Sequence, residues 1–194
     1  ALEELDVTGK EGTPGIRGVA ADVFSGLTKL KKLNASNNSF SGDLSWLKDL
    51  SALQTLRLDG NQLSGQLDLS QFSPNLTDVY LSNNKLEGNL NGISTLTKVR
   101  NLYLEHNLLS GELPAELGNC STLSYFYLSN NNITGTIPVE VAKMNLGYSG
   151  LKLNGNRMSG EIPAEVLSSA VWKKLYPETN IYPQQEGYGF SNVK

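Results

Sequence analysis

A recurring asparagine constrains this sequence more than any other feature. Four residues after each one stands a glycine, and before each one apolar and polar residues alternate, as in LQTLRLDGNQLSG from Leu53 to Gly65. The intervals between them are 23, 23, 23, 24 and 25 residues, at Asn38, Asn61, Asn84, Asn107, Asn131 and Asn156. A fixed period in the twenties is typical of a solenoid, in which one structural turn is written repeatedly along the chain.

The residues before each asparagine predict a short strand, because an alternation of period two places every second side chain on one face. Stacked turns bring these strands side by side, about 4.8 Å apart, into one parallel sheet. The asparagine points inward, and its amide is expected to bond backbone groups of its own turn and of the next turn. A backbone group left unpaired in the core costs about 1–3 kcal/mol, so we interpret the asparagines as structural.

The longer units identify the type of repeat. LYLEHNLLSGELPAELGNCSTL from Leu102 and FYLSNNNITGTIPVEVA from Phe126 both carry L-x-G-x-[IL]-P after the asparagine. This pattern resembles the plant-type subclass of leucine-rich repeats from about Leu30 to Pro163. The resemblance implies an α/β-type repeat solenoid: an arc with a parallel concave β-sheet, a second short strand after the glycine, and a largely irregular or 3₁₀ convex side. The residues after Pro163 add the prediction of a short C-terminal capping helix.

The resemblance has one departure. Plant receptor ectodomains of this subclass usually begin with a disulfide-bonded cap, and the single cysteine of this chain, Cys120, cannot supply one. The sequence therefore argues against a plant receptor.

The repeat pattern divides one domain into three parts. Residues 1–29 are predicted to be a degenerate first repeat, with Lys10 in place of asparagine and an irregular loop, GKEGTPGIRG, at 9–18. Residues 30–163 hold six plant-type repeats, the last of them a worn copy that begins at Tyr148. Residues 164–194 break the period and predict a cap, with a helix from about Ala164 to Leu175 that Pro177 ends. Five aromatic residues are expected to cover the open end of the core: Trp172, Tyr176, Tyr182, Tyr188 and Phe190.

The end of the chain bears on its location. The stretch IYPQQEGYGF, with the tryptophan and proline before it, resembles the C-terminal tail of leucine-rich-repeat surface proteins from Bacteroidetes bacteria. That resemblance implies a bacterial chain that is exported and often lipid-anchored. No apolar run reaches the roughly 18 residues that a membrane span needs, and the first residues hold no basic and apolar leader. We therefore expect an extracellular or cell-surface protein whose signal segment is absent here, and the ragged first repeat predicts further chain before residue 1.

The sequence contains no motif that predicts catalysis or metal binding. The only histidine, His106, and the only cysteine lie in no nucleophile motif, and no H-x-x-x-H, C-x-x-C or D-x-D-x-D-G spacing is present to hold a metal. With 16 basic and 19 acidic residues the net charge is −3, which gives no positive field for nucleic acid. We predict a non-enzymatic, monomeric protein without cofactor or metal that does not bind nucleic acid.

The variable residues of the strands carry the functional prediction. The position between the two inward residues of each strand forms one column: Asp6, Asn34, Arg57, Tyr80, Tyr103, Tyr127 and Lys152. Three consecutive tyrosines offer large, rigid contact area at low entropic cost, as binding hot spots do. We predict that a protein, peptide or glycan binds on the concave face to ten residues: Arg57, Asp59, Asp78, Tyr80, Tyr103, Glu105, His106, Tyr125, Tyr127 and Lys152.

Two alternatives stay open. Tyrosine is a good strand residue and stacks on its neighbours in a sheet, so the chain can instead be a structural spacer or adhesin segment without a small ligand. It can also be an inhibitor of a secreted hydrolase, which is a variety of binding.

Overall fold

A computed structural model describes residues 2–10, 13, 15–175 and 177–193 of the chain. Its main sheet is parallel and has seven strands in chain order, one from each of the first seven turns. These strands are β1 (Glu4–Asp6), β3 (Lys32–Asn34), β5 (Thr55–Arg57), β7 (Asp78–Tyr80), β9 (Asn101–Tyr103), β11 (Tyr125–Tyr127) and β13 (Leu151–Lys152). The predicted parallel concave sheet is thereby confirmed.

A second strand follows the asparagine position in each turn, as the resemblance implies. Parallel pairing groups these strands into one sheet of four and two sheets of two. They are β2 (Arg17–Val19), β4 (Ser39–Gly42), β6 (Gln62–Leu67), β8 (Lys85–Gly88), β10 (Ser110–Glu112), β12 (Asn132–Thr134), β14 (Ser159–Gly160) and β15 (Gly189–Phe190).

The return path of each middle turn is a 3₁₀ helix. Five are present in the described residues, at Ser45–Asp49, Leu69–Gln71, Ile93–Thr95, Ala115–Asn119 and Val139–Lys143. Leucines from the strands and from these helices fill one continuous apolar core, in which Leu56, Leu58 and Leu63 are completely buried. Each such side chain contributes about 1.5–3 kcal/mol, so the turns stabilise one another by stacking.

The asparagine ladder joins each turn to the one before it. The Asn107 amide nitrogen donates to Leu104 O of its own turn at 3.1 Å and to Leu81 O of the preceding turn at 3.0 Å. Its oxygen accepts from the Leu86 N–H at 3.0 Å. The prediction of bonds to the next turn was wrong in direction, because backbone groups such as the Leu86 N–H point toward the following turn, where the asparagine lies.

The C-terminal segment continues this ladder with a glutamine. Gln184 Nε2 donates to Leu153 O at 3.1 Å and to Ile181 O at 2.6 Å, and its Oε1 accepts from the Met158 N–H at 3.2 Å. These are the three contacts of a ladder asparagine, made by a side chain one methylene longer. The described residues after Pro163 therefore repeat the ladder contacts although the spacing of the repeat is broken there.

The cap also differs from the single helix predicted between Ala164 and Leu175. It contains α2 (Ala164–Ser168) and α3 (Ala170–Lys174), which follow α1 (Ala20–Phe24) of the first turn. At Ser169 the backbone is extended, with φ −68° and ψ 154°, and the hydroxyl accepts from the Trp172 N–H at 3.1 Å. A serine that caps the second helix thus divides the predicted one.

Pro177 does not end a helix but begins one, α4 (Pro177–Asn180). Of the predicted capping aromatics, Trp172, Tyr182 and Phe190 pack against the core, whereas Tyr188 is 46% exposed. Tyr176 lies outside the described residues.

The first turn has both strands although it lacks the asparagine. Strand β1 pairs with β3, and β2 pairs with β4. Arg17 and Gly18, predicted to be loop, belong to β2.

The division of the domain at residues 29 and 163 stays a prediction. Across the described ranges, none of the helices has the length and apolar character that crossing a bilayer requires.

Candidate ligand-binding face

The register of the main sheet places the predicted column in one line. Arg57 lies beside Tyr80, and Tyr80 lies beside Tyr103. Tyr103 lies beside Tyr127, which lies beside Lys152. Because successive residues of a strand face opposite sides, the alternation that buries the leucines points these five side chains away from the core.

The five side chains, called the aromatic stack below, contact one another in order. The rings of Tyr80 and Tyr103 are stacked, with centroids 4.7 Å apart and planes 18° apart. Tyr103 and Tyr127 meet edge to face at 4.7 Å and 80°. Arg57 Cζ lies 4.2 Å from the centroid of Tyr80, and Lys152 Nζ lies 4.1 Å from that of Tyr127. Each contact is worth about 0.5–1.5 kcal/mol, so the stack is held in place before any ligand arrives.

Tyr125 broadens the stack by one column. It lies beside Asn101 in the sheet, and its ring meets that of Tyr127 edge to face at 6.2 Å. The ring also lies against Gly147, where an added Cβ would stand 3.1 Å from the Tyr125 Cζ atom. The absence of a side chain at Gly147 therefore leaves room for this ring.

Tyr148 is a surface aromatic that the sequence analysis misplaced. It was predicted to start the last repeat as an inward residue, yet it is 69% exposed, and Leu146 is buried instead. The Gly147 N–H donates to Ser124 O at 2.9 Å, which aligns Leu146 with Leu123. The turn therefore has two extra residues before its strand, and they carry Tyr148 outward next to the glycine that Tyr125 contacts.

The predicted carboxylates are held by neutral donors. Asp59 Oδ1 accepts from the Ser36 hydroxyl at 2.7 Å, and Glu105 Oε2 accepts from the Ser82 hydroxyl. Asp78 accepts from the Asn101 amide and from a threonine hydroxyl. Within the described part of the chain, the two ion pairs both lie in the first turns, Lys31–Glu3 and Lys32–Glu4. The carboxylates near the aromatic stack are thus oriented but not neutralised.

His106 stands in a column with left-handed backbone. Its φ is 54°, and Asn83 and Asn130 on either side have φ of 57° and 58°. Nε2 of the ring lies 3.2 Å from the Asn130 amide nitrogen. This contact with the Asn130 side-chain amide orients the ring.

Five of the ten predicted residues meet at one open pocket of about 410 Å³. The pocket is lined by Asp59, Tyr80, Ser82, Asn83, Tyr103, Glu105 and His106. Sequence reasoning missed Ser82 and Asn83, although they occupy the same two columns as Glu105 and His106. The other predicted residues lie around this pocket along the stack and on β7, β11 and β13. A hollow of about 450 Å³ between Asp43, Lys48 and Gln66 lies off the main sheet and has no aromatic lining.

The hydroxyls of Tyr103 and Tyr127 are neutral at physiological pH. Burial, and then the charges of Tyr127, Tyr80, Glu105 and Tyr125, raise the pKa of Tyr103 to about 12. Burial, and then the charges of Tyr125 and Glu105, also raise the pKa of Tyr127. Both side chains therefore offer an O–H donor as well as an acceptor.

The one thiol is not placed for catalysis. Cys120 is buried behind the convex helices, and burial raises the pKa of its thiol. No group of three histidine, cysteine or acidic side chains suited to a metal occurs among the residues with described positions. The geometry of the face is that of a contact surface.

Comparison with known proteins agrees with the repeat pattern. One leucine rich repeat family model matches residues 12–63, and a second matches residues 98–120 and 122–144. Both describe the repeat whose asparagine ladder and paired strands the structure shows.

Structures with a similar backbone include ectodomains of plant receptors. A plant peptide hormone receptor, RGFR1 in complex with RGF2, is 30% identical with a TM-score of 0.75 over 85% of this chain. The Arabidopsis receptor kinase HAESA, in complex with the peptide hormone IDA and the co-receptor SERK1, is 27% identical with a TM-score of 0.77 over 89% of this chain. The present chain spans only 26% and 28% of those two receptor chains. From its repeats and its fold, this chain is a leucine-rich-repeat protein.

Proposed function

We propose that this protein is a non-catalytic recognition module that binds a protein or peptide on its concave face, across the aromatic stack. The observation that carries the proposal is the unbroken series of contacts from Arg57 through three tyrosines to Lys152. A surface that is ordered in advance loses little conformational entropy on binding, and tyrosine supplies large contact area with few rotatable bonds.

The orientation of the rings favours a peptide over a glycan. Arg57 and Tyr103 flank Tyr80 on neighbouring strands and cover its two faces. A sugar that stacks its C–H groups on an aromatic ring needs an open face. The stack instead presents ring edges and hydroxyl groups, which suit the amides and side chains of a polypeptide.

The similar structures support the same class of ligand. RGFR1 is in complex with RGF2, and HAESA is in complex with the peptide hormone IDA. We extend the location of those ectodomains to this chain and propose that it acts outside the cell, as a monomer. A bacterial surface location with a lipid anchor stays a prediction from the tail of the sequence.

Selection from a displayed random peptide library tests the proposal. The wild-type protein should enrich peptides, and alanine at Tyr80, Tyr103 and Tyr127 together should abolish their capture while the circular dichroism spectrum is kept. Alanine at Tyr188, an exposed tyrosine of the cap, is the matched control and should leave capture unchanged. Capture by the triple variant at the wild-type level contradicts the site.

A structural role is the second candidate, because the side chains of the stack already contact one another through their rings and cations. If the tyrosines only pack, the library yields no enriched peptide, and the triple variant is destabilised without any loss of binding. A single Tyr103→Phe change separates the two candidates: it keeps the ring contacts and removes only the hydroxyl, so reduced capture identifies a binding residue.

A further inference from the structure

The pocket beside the aromatic stack is shaped by one small residue between two large ones. The Gly60 N–H donates to Ser82 O, and the Asn83 N–H donates to Glu105 O, both at 2.9 Å. These bonds continue the sheet register past the strands and set Asp59, Ser82 and Glu105 in one row. Since neighbouring strands lie about 4.8 Å apart, the two acidic residues are roughly 10 Å apart with serine between them. The gap above Ser82, called the acidic notch below, is the centre of the pocket.

Each carboxylate of the acidic notch keeps one oxygen for a ligand. Ser36 holds Asp59 through Oδ1, and Ser82 holds Glu105 through Oε2. Among the described residues, no hydrogen bond reaches Asp59 Oδ2, Glu105 Oε1 or the Tyr103 hydroxyl. These serine contacts fix the carboxylates in orientation, so the free acceptors need no further ordering when a donor arrives.

The charge of the notch is not balanced by the protein. Its lining holds two carboxylates and no lysine or arginine. The two cations of the aromatic stack are engaged with its rings: Arg57 lies on the face of Tyr80, and Lys152 lies on the ring of Tyr127. His106 is the remaining titratable group of the lining besides the tyrosines, and its Nε2 faces the Asn130 amide. A binding partner therefore meets negative potential here, and charge complementarity selects a cation.

We infer that the ligand of this protein inserts a basic side chain into the acidic notch, between Asp59 and Glu105 and against Tyr103. The inference rests on the proposed function and specifies the chemistry of its ligand. An arginine fits better than a lysine, because a planar guanidinium carries five donors and reaches two carboxylates at once. A metal ion is a poorer occupant, since the described part of the chain brings together no three ligands for one.

A pair of small probes that differ in charge tests the inference. N-acetyl-arginine methylamide and its neutral citrulline analogue are titrated into the ¹⁵N-labelled protein, and the amide resonances of Ser82, Asn83 and Glu105 are followed. The arginine probe should shift these resonances, and the citrulline probe at the same concentration should not. Equal shifts with the two probes, or no shift with either, overturn the inference.

Isosteric variants locate the effect. Glu105→Gln and Asp59→Asn should each weaken binding of the arginine probe by about fivefold, the factor that one exposed ion pair supplies. Glu87→Gln is the matched control: it removes the same charge from an exposed glutamate of β8, off the main sheet, and should leave the affinity unchanged. An unaltered affinity in the Asp59→Asn, Glu105→Gln double variant refutes the notch.

The two proposals fail separately. If library peptides bind through the stack but contain no enriched basic residue, and the arginine probe has no effect, the protein is a recognition module with a different specificity. If the arginine probe binds in the notch and no peptide is captured, the proposed function is wrong and the notch is a small-cation site.

Discussion

Alanine at position 131 should cost more stability than any substitution on the concave surface. Asn131 is 2% exposed, and its amide nitrogen donates to Leu104 O and Leu128 O, both at 3.0 Å. Its oxygen accepts from the Leu109 N–H at 3.0 Å. After the substitution that N–H has no partner in a dry core, which costs about 1–3 kcal/mol.

The two carbonyls lose less, because each keeps a second donor. Leu104 O still accepts from Asn107, and Leu128 O still accepts from Asn156. With about 0.5–1 kcal/mol for each of the two lost bonds, the free energy of unfolding should fall by about 2–5 kcal/mol in total. Urea denaturation followed by circular dichroism measures this loss.

Asn84→Ala is the matched control. Asn84 makes the same bonds, to Leu58 O, to Leu81 O and from the Leu63 N–H, at 3.0–3.1 Å. Its side chain is half-buried, so water can replace the amide, and we expect a loss of only about 1–2 kcal/mol. Equal losses at the two positions, or a loss below 1 kcal/mol at Asn131, refute the reasoning that burial sets the value of the ladder.

Three further predictions follow from the same structure. Gln184→Ala should lower the free energy of unfolding by about 1–2 kcal/mol and increase hydrogen exchange in the last turn first, because Gln184 is the terminal member of the ladder; unchanged exchange there argues against that role. Gly88→Ala should cost about 1–3 kcal/mol in thermal or chemical denaturation, since φ is 95° and the new Cβ would lie 2.9 Å from Gln66 Oε1. The pKa of Tyr103 is raised from 10.0 to about 12 in the folded state, so the folded protein holds this proton more tightly and stability should fall as pH rises from 10 to 12. Tyr103→Phe should make that fall shallower, and an identical pH profile contradicts the assignment.

The contents of the aromatic stack were predictable from the sequence because two simple rules determine them. Alternation decides which strand residues face outward, and a period of 23–25 residues places equivalent residues of successive turns side by side. Tyr80 and Tyr103 therefore had to be neighbours once the repeat was recognised. The face-to-face contact of their rings, and the placement of Arg57 and Lys152 on them, depends on rotamers that no periodicity specifies.

Where the period changes, the sequence misled. The two extra residues before β13 moved Tyr148 from the core to the surface, because Leu146 took the buried position. In the cap, Gln184 makes the hydrogen bonds that an asparagine makes in the other turns. Ser169 caps a second helix and so divides the single helix that the sequence predicted. Each of these changes keeps the packing or the hydrogen bonds of the repeat. Each can be recognised only when the contacts with the neighbouring turn are known.

For the acidic notch, the sequence predicted the two acidic residues but not the pocket between them. Asp59 and Glu105 were both predicted as site residues, but the pocket between them exists because Ser82 is small and bonds sideways to Glu105. A search along the columns of the repeat for a small residue between two large polar ones would have found it.

The central claim is that a ligand binds on the aromatic stack, and ¹⁹F NMR of the protein with 3-fluorotyrosine tests it most directly. The chain has eight tyrosines. Their fluorine signals are assigned by replacing one tyrosine at a time with phenylalanine. On addition of a library-selected peptide, the signals of Tyr80, Tyr103 and Tyr127 should shift while that of Tyr188 stays in place. Unchanged signals from all three stack tyrosines at a saturating peptide concentration would show that the ligand binds elsewhere.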